Sequence, residues 1–211
     1  MKKIVIIGSG FSSLSAACYL AKKGHQVQVL EKNDTLGGRA RQFTKDGFTF
    51  DMGPSWYWMP DVFESFFGDF DKQVSDYYTL DRLSPGYQVV FGKDDVFPVE
   101  DSIAKIAARF EKIEAGSGAK LTRFLEKARN NYDIAVKDLV YRPGVSPLEL
   151  VTPQTVKKVG LFFTNIRSQV EKQFKNQKLR SLLQFPVLFL GAKPESTPAF
   201  YNFMNYADFG L

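Results

Sequence analysis

The hydrophobic period of the chain changes several times along its length. Lys3 to Ile7 is a short β-branched run stopped by Gly8, the pattern of a buried parallel strand. Ser12 to Lys23 carries Leu14, Ala17, Leu20 and Ala21 at helical steps on one face, with Gly24 as the stop. Gln26 to Leu30 alternates Val27 and Val29 with polar neighbours and predicts a second strand. Strand, glycine turn, helix and strand in about 30 residues make one βαβ unit, and such crossovers are right-handed in nearly all cases.

Beyond a turn at Asn33 to Gly38 the pattern shortens. Asp46-Gly47 predicts a tight turn and Phe48 to Asp51 a short strand, ahead of a loop rich in aromatics and prolines. Pro60 suits the first turn of a helix reaching Phe67. Tyr87 to Phe91 and Val96 to Val99 read as a hairpin across Lys93-Asp94-Asp95. From Ser102 the period is helical. Leu121, Phe124, Leu125, Ala128, Tyr132, Ala135 and Leu139 predict one amphipathic helix, and Val159, Phe162, Phe163, Ile166, Val170 and Phe174 predict another. Pro143, Pro147 and Pro153 punctuate the link between them, and Thr197-Pro198 offers an N-cap and first-turn proline for a final helix. There is no internal repeat.

Composition excludes a disordered chain, since hydrophobic residues are 44% and charged ones 24% of the 211. The departure from average is aromatic: 20 Phe, nine Tyr and two Trp, a large apolar content for a soluble chain. One cysteine, Cys18, rules out an internal disulfide and a cysteine metal cluster, which fits a reducing compartment. The longest apolar run, Phe185 to Ala192, falls far short of the roughly 20 residues a spanning helix requires, so the expectation is a cytoplasmic protein without a spanning segment. Charge is uneven. Residues 120–180 hold thirteen Lys or Arg against five Asp or Glu, within a chain of net +5. Two readings stand: a solvated helical surface, or attraction to an anionic membrane face. Nucleic acid is disfavoured, because no binding motif accompanies the charge.

The chemistry concentrates at the amino terminus. In "GSGFSS", Gly8 and Gly10 stand where a tight turn and a close backbone approach to a pyrophosphate tolerate no side chain, and the helix that follows offers the backbone donors of Phe11, Ser12 and Ser13 at its positive end. Ser13 replaces the usual third glycine, a position that needs only a small residue. Glu31, followed by Lys32, ends the second strand 21 residues past Gly10, where an acid accepts ribose hydroxyls and repels a 2′-phosphate.

The extended pattern "EKNDTLGGRARQF", with Gly37-Gly38-Arg39 shortly after Glu31, resembles the flavin amine oxidase and carotenoid desaturase superfamily. That resemblance implies FAD as cofactor, with the loop lying along it and Arg39 near the pyrophosphate; the plainer reading of Arg39 is an exposed structural arginine. Asp51 to Trp58, containing Gly53, Pro54, Ser55 and Trp56, resembles the loop that passes near the isoalloxazine. "GFTFDMGPSWYWMPDVFESFF", "VSDYYTLDRL" and "FPVLFLGAKPESTPAFYNFMNYADF" are similar to bacterial phytoene desaturases. The fold class is therefore α/β, a Rossmann-like FAD-binding βαβ unit followed by a β-hairpin and a mostly helical insertion facing substrate and membrane. The resemblance implies that residues 1–82 are the amino-terminal part of the FAD-binding domain and residues 83–211 a substrate-binding helical cap region, truncated relative to the family.

The resemblance further implies desaturation of an apolar C40 carotenoid precursor such as phytoene, with a hydride passing to flavin N5 and a proton leaving the neighbouring carbon. It implies work at the inner membrane surface, peripherally from the cytoplasmic side. Family members are far longer, so the chain corresponds to their amino-terminal half and is expected to be inactive alone. Positioning and water exclusion carry such chemistry, and no acid or base stands out. Glu149 could polarise or deprotonate a cationic intermediate, or be a solvated loop carboxylate; His25, Asp51 and Arg82 read as structural. Two alternatives remain open, a flavin amine oxidase and a non-catalytic prenyl-binding escort of the same fold, although an escort has no need of Glu31 with Gly37-Gly38-Arg39. No metal site is expected, and the oligomeric state is left open.

Overall fold

A computed structural model of the chain describes residues 1–53 and 57–211. Backbone contacts divide it into two compact units, Met1–Tyr57 and Trp58–Leu211.

In the first unit, β1 (Lys3–Ile7) and β2 (Gln26–Leu30) run parallel, Lys3 opposite Gln26 and Ile7 opposite Leu30, with α1 (Phe11–Lys22) as the crossover. Both strands fall where the alternation puts them. The expectation of a buried strand is corrected: Ile4 and Ile6 are partly covered, while Val5 and Ile7 are exposed, Ile7 at 87%. Among the described residues the sheet has two strands, joined by one crossover helix. A hairpin joins β3 (Gln42–Lys45) to β4 (Phe48–Asp51) across Asp46-Gly47, both in the left-handed region at φ 52° and 81°. β3 lacks a sequence signal of its own because neither strand buries a face. The ladder is held instead by stacked Phe43 and Phe50, ring centroids 5.0 Å apart, and by Gln42 Nε2 donating to Asp51 Oδ1 at 2.6 Å.

The second unit opens with α2 (Pro60–Gly68), Pro60 in its first turn. The predicted hairpin follows as β5 (Tyr87–Gly92) and β6 (Asp95–Val99). Next come α3 (Ile103–Ile113), capped by Ser102 Oγ accepting from Lys105 N–H, and α4 (Ser117–Lys137). α4 begins without a side-chain cap of its own. Glu111 supplies the lack, accepting from the N–H groups of Gly116 at 2.7 Å and Gly118 at 3.0 Å, bonds that hold its carboxyl below the usual range. A Cβ on Gly118 would stand 2.8 Å from Ala107 O, so the approach of α4 to α3 at this point requires glycine. The remaining helices are short: α5 (Pro153–Val156), α6 (Ile166–Glu171), α7 (Gln177–Gln184) and α8 (Phe203–Phe209).

The second amphipathic helix predicted across Val159 to Phe174 is not continuous. Val159–Leu161 is a single 3₁₀ turn, and the chain is extended at Asn165 before α6 begins. Three competing bonds explain the break. Ala199 N–H donates to Thr164 O at 2.7 Å, Ile166 N–H donates to Thr197 O at 3.0 Å, and Asn165 accepts from Ser168 N–H as the cap of α6. The final helix is also entered differently. The Thr197 hydroxyl donates back to Lys193 O, a 3₁₀ turn Ala199–Asn202 follows Pro198, and α8 starts only at Phe203.

The core of this unit gathers Phe97 from β6, Ile106 and Phe110 from α3, Leu121, Phe124 and Leu125 from α4, then Ile166, Val170, Phe174, Leu179, Leu182 and Leu183. Phe110 makes edge-on contacts with Phe97 and Phe174, and Phe174 another with Phe124. Each such side chain contributes roughly 1.5–3 kcal/mol by leaving water. Polar ties fasten the rim: Glu114 accepts from the N–H groups of Lys175 and Asn176, both at 2.8 Å, and Tyr132 donates to Asp61 Oδ1 at 2.8 Å. Lys158 Nζ donates to Asn131 Oδ1, whose amide donates to Asn202 Oδ1.

Tyr87 donates to Asp208 Oδ2 at 2.6 Å, and burial pushes the Asp208 carboxyl up to about 7 against the lowering effect of that bond. The folded chain thus holds a proton that the unfolded chain releases near pH 4, so this contribution to stability is complete below that pH and is lost as pH rises toward 7. Asp208→Asn keeps the acceptor and removes the titration. The variant is expected to be more stable than the parent at pH 8 by about 2 kcal/mol after solvent screening, with the gap closing by pH 4, in urea titrations followed by fluorescence.

Candidate nucleotide-binding site

Four short segments converge in the first unit. The glycine loop leaves β1 with Gly8 at φ +92°, its N–H donating to Leu30 O at 2.7 Å. Ser9 is buried and turns both of its donors on Glu31: its N–H reaches Oε2 at 2.8 Å and its hydroxyl the same oxygen at 2.7 Å. Asn33 does likewise to Oε1, by its N–H at 3.0 Å and its side-chain amide at 2.7 Å. Led by the Ser9 hydroxyl, these bonds hold the Glu31 carboxyl down to about 2, so it is an anion throughout the physiological range.

The Gly37-Gly38 turn lies directly on the glycine loop. Gly37 N–H donates to Ser9 O at 3.0 Å, and a Cβ on Gly38 would stand 3.1 Å from Gly10 Cα. Gly53, at φ +88°, closes the other side of this turn, since a Cβ there would stand 2.5 Å from Arg39 O. Of the residues expected to bind a cofactor, Gly8, Gly10, Glu31, Gly37, Gly38, Arg39 and Gly53 are therefore brought together by backbone contact or hydrogen bonding. Phe11, Ser12 and Ser13 form the first turn of α1, and Lys32 and Arg39 are exposed at the rim. Pro54, Ser55 and Trp56 lie outside the described residues.

The glycines differ in what requires them. Gly8 is explained by its own positive φ. Gly10 has ordinary backbone angles, φ −72° and ψ 171°, and a Cβ there would meet no atom of the described residues within 4 Å. Among the described residues nothing demands glycine at this position, so the free space matters for what approaches from outside. Gly10 also caps α1 without a side-chain bond, and the first intrahelical bond runs from Leu14 N–H to Gly10 O. The backbone of Phe11 to Ser13 thus precedes the helical ladder at its positive end, a donor set that suits a pyrophosphate. The residues present fit a dinucleotide held by its ADP portion.

Ser9 and Asn33 were not singled out by sequence pattern. Their signal is local: a hydroxyl between two glycines, and an amide two residues past an acid. In the second unit Glu149 closes its own loop, its carboxylate accepting from the N–H groups of Gly144, Val145 and Ser146 at 2.8–3.1 Å, bonds led by Gly144 that hold it below the usual range. His25 Nδ1 accepts from Lys2 N–H, and Arg82 donates to Asp101 O and Leu211 O. Among the described residues no group of His, Cys, Asp and Glu could hold a metal ion.

The contrast between glycines is testable without ligand. Gly53→Ala forces Cβ into the Arg39 carbonyl and is expected to cost about 2–4 kcal/mol, whereas Gly10→Ala should stay within about 1 kcal/mol of the parent in thermal melts.

Comparison with known proteins agrees with this geometry. Residues 6–72 match the NAD(P)-binding Rossmann-like domain family. A carotenoid 3,4-desaturase of Haloarcula japonica is 42% identical over 99% of this chain and 43% of its own length. A 4,4′-diapophytoene desaturase of Staphylococcus haemolyticus is 36% identical over 94% of this chain and 40% of its own. The chain thus spans about two fifths of the length of these relatives. Among solved structures, a putrescine oxidase superposes with TM-score 0.57 at 19% identity, covering 98% of this chain and 42% of that one. Cyclohexylamine oxidase from Brevibacterium oxydans gives 0.54 at 20% identity over 97% and 41%. These two likenesses concern the fold alone. The chain thus matches a Rossmann-like NAD(P)-binding domain family over residues 6–72 and is similar, along nearly its whole length, to the amino-terminal part of carotenoid and diapophytoene desaturases.

Proposed function

We propose that the chain supplies the ADP-binding part of an FAD site in an enzyme that desaturates an apolar polyene of the carotenoid class. The observation that carries this reading is the convergence of the α1 N-terminus, where Gly10 contributes no side chain, with the Glu31 anion fixed on the neighbouring Ser9. The similarity at 42% to a carotenoid desaturase, against 20% or less to the amine oxidases above, supports a polyene over an amine as substrate. When bound, the flavin supplies the acceptor for the hydride equivalent that leaves the substrate.

The chain's own part is positional. The backbone of Phe11 to Ser13 would hold the pyrophosphate and Glu31 the ribose, while Gly37-Gly38 keeps its turn pressed on the glycine loop. This arrangement would fix the cofactor before substrate arrives, and orientation of that kind carries much of the barrier in reactions that need little acid or base. Peripheral attachment at the inner face of a membrane belongs to the same reading. In the second unit Val145, Leu148 and Phe163 stand 85%, 76% and 86% exposed within the basic stretch 120–180, a combination suited to an anionic lipid surface. No helix among the described residues is long and apolar enough to cross a membrane.

The test is made on the complete protein. It should purify yellow, with flavin absorption, and produce coloured polyenes in cells that accumulate phytoene; colourless protein with no affinity for FAD would overturn the reading. Glu31→Gln is expected to weaken FAD binding by about 10-fold in calorimetry, because the charge-assisted bond to the ribose becomes a neutral one. With Glu31 titrating near 2, affinity in the parent should stay level from pH 5 to 9 as far as this group decides it.

A further inference from the structure

Glu31 has no acceptor position left over. An ionised carboxylate offers about four lone-pair sites on its two oxygens. Here Oε2 takes two donors from Ser9 and Oε1 takes two from Asn33, at 2.7–3.0 Å. A ribose hydroxyl that donates to Glu31 therefore has to replace one of them. The four are not equally replaceable. Ser9 N–H and Asn33 N–H are main-chain groups, the first fixed in a loop that Gly8 and Gly37 tie at both ends. The Ser9 hydroxyl belongs to a residue 1% exposed, on the shortest of side chains. The Asn33 amide sits on two rotatable bonds, and its residue is only partly buried, with solvent available to receive it.

Resting on the FAD reading above, we propose that Asn33 is a displaceable latch: its side-chain amide sits in the seat of a ribose hydroxyl on Glu31 and swings out when the nucleotide enters. Ser9 is its opposite, a positioning residue whose two donors stay in place and keep the carboxylate aimed. Ordering of the site is thereby separated from its occupancy. Glu31 is held in one orientation by four donors, three of which persist, and the fourth is exchanged for ligand. The exchange lowers the affinity that the same pocket would have with that seat open.

The experiment compares FAD binding by the complete apoprotein and its Asn33→Ala and Ser9→Ala variants, using calorimetry for affinity and stopped-flow flavin fluorescence for association. Asn33→Ala is expected to bind FAD about 3- to 10-fold more tightly, with faster association, since one hydrogen bond no longer has to be broken. Ser9→Ala is expected to bind several-fold more weakly. In an Asn33→Ala, Glu31→Gln double variant the gain from Asn33→Ala should shrink, because the two residues act through one carboxylate. If Asn33→Ala binds FAD as the parent does or more weakly, the latch is wrong while the FAD reading stands. If the parent and both variants all fail to bind FAD, both are wrong. Parallel binding of free ADP separates the two ends of the cofactor: the latch requires the same direction of change with ADP as with FAD.

Discussion

A carboxylate tied to two separate turns organises the amino-terminal unit. Ser9 belongs to the loop after β1 and Asn33 to the bend after β2, and Glu31 draws both onto its two oxygens. That clasp sets where the glycine loop leaves the sheet, and the loop in turn receives Gly37 through the Ser9 carbonyl. Gly38 and Gly53 then stack their backbones where no side chain has room. Removing the charge would loosen all three turns together, which is why an anion this close to neutral backbone stays ionised: every lone pair has a donor.

The second unit follows a different principle. Its interior is a run of aromatic edges and aliphatic side chains from α3, α4, α6 and α7, and the polar groups at its margin serve to close chain ends. Glu111 caps α4, Glu114 caps the turn into α7, and Glu149 folds its own loop. Carboxylates that pattern analysis could consider for chemistry are here occupied in satisfying backbone N–H groups, which would otherwise sit exposed at helix starts and bends.

What could be read in the chain beforehand divides along the same line. β1, α1 and β2 were legible to within a residue because period, glycine stops and strand composition all agree there. The convergence of Gly8, Gly10, Glu31 and Gly37-Gly38 was legible because it follows from their spacing around one strand, helix and strand. The pairing of Ser9 and Asn33 on one carboxylate was not, since hydroxyls and amides are compatible with many local bonds. The continuous helix expected over Val159 to Phe174 failed for a reason no local window contains: residues 164–166 are claimed by Thr197 and Ala199, more than 30 positions away. α7 was missed because its buried set is only Leu179, Leu182 and Leu183, too few to establish a period.

That interruption at Asn165 has an evolutionary corollary. Ile166, Val170 and Phe174 are wholly enclosed, whereas Val159 and Phe163, seven and three residues before Ile166 in the same apolar series, face outward. Two neighbouring stretches that look alike in letters thus answer to separate selective pressures. Drift past the break is restrained by the fit of the interior, and drift before it by whatever medium or surface those side chains meet.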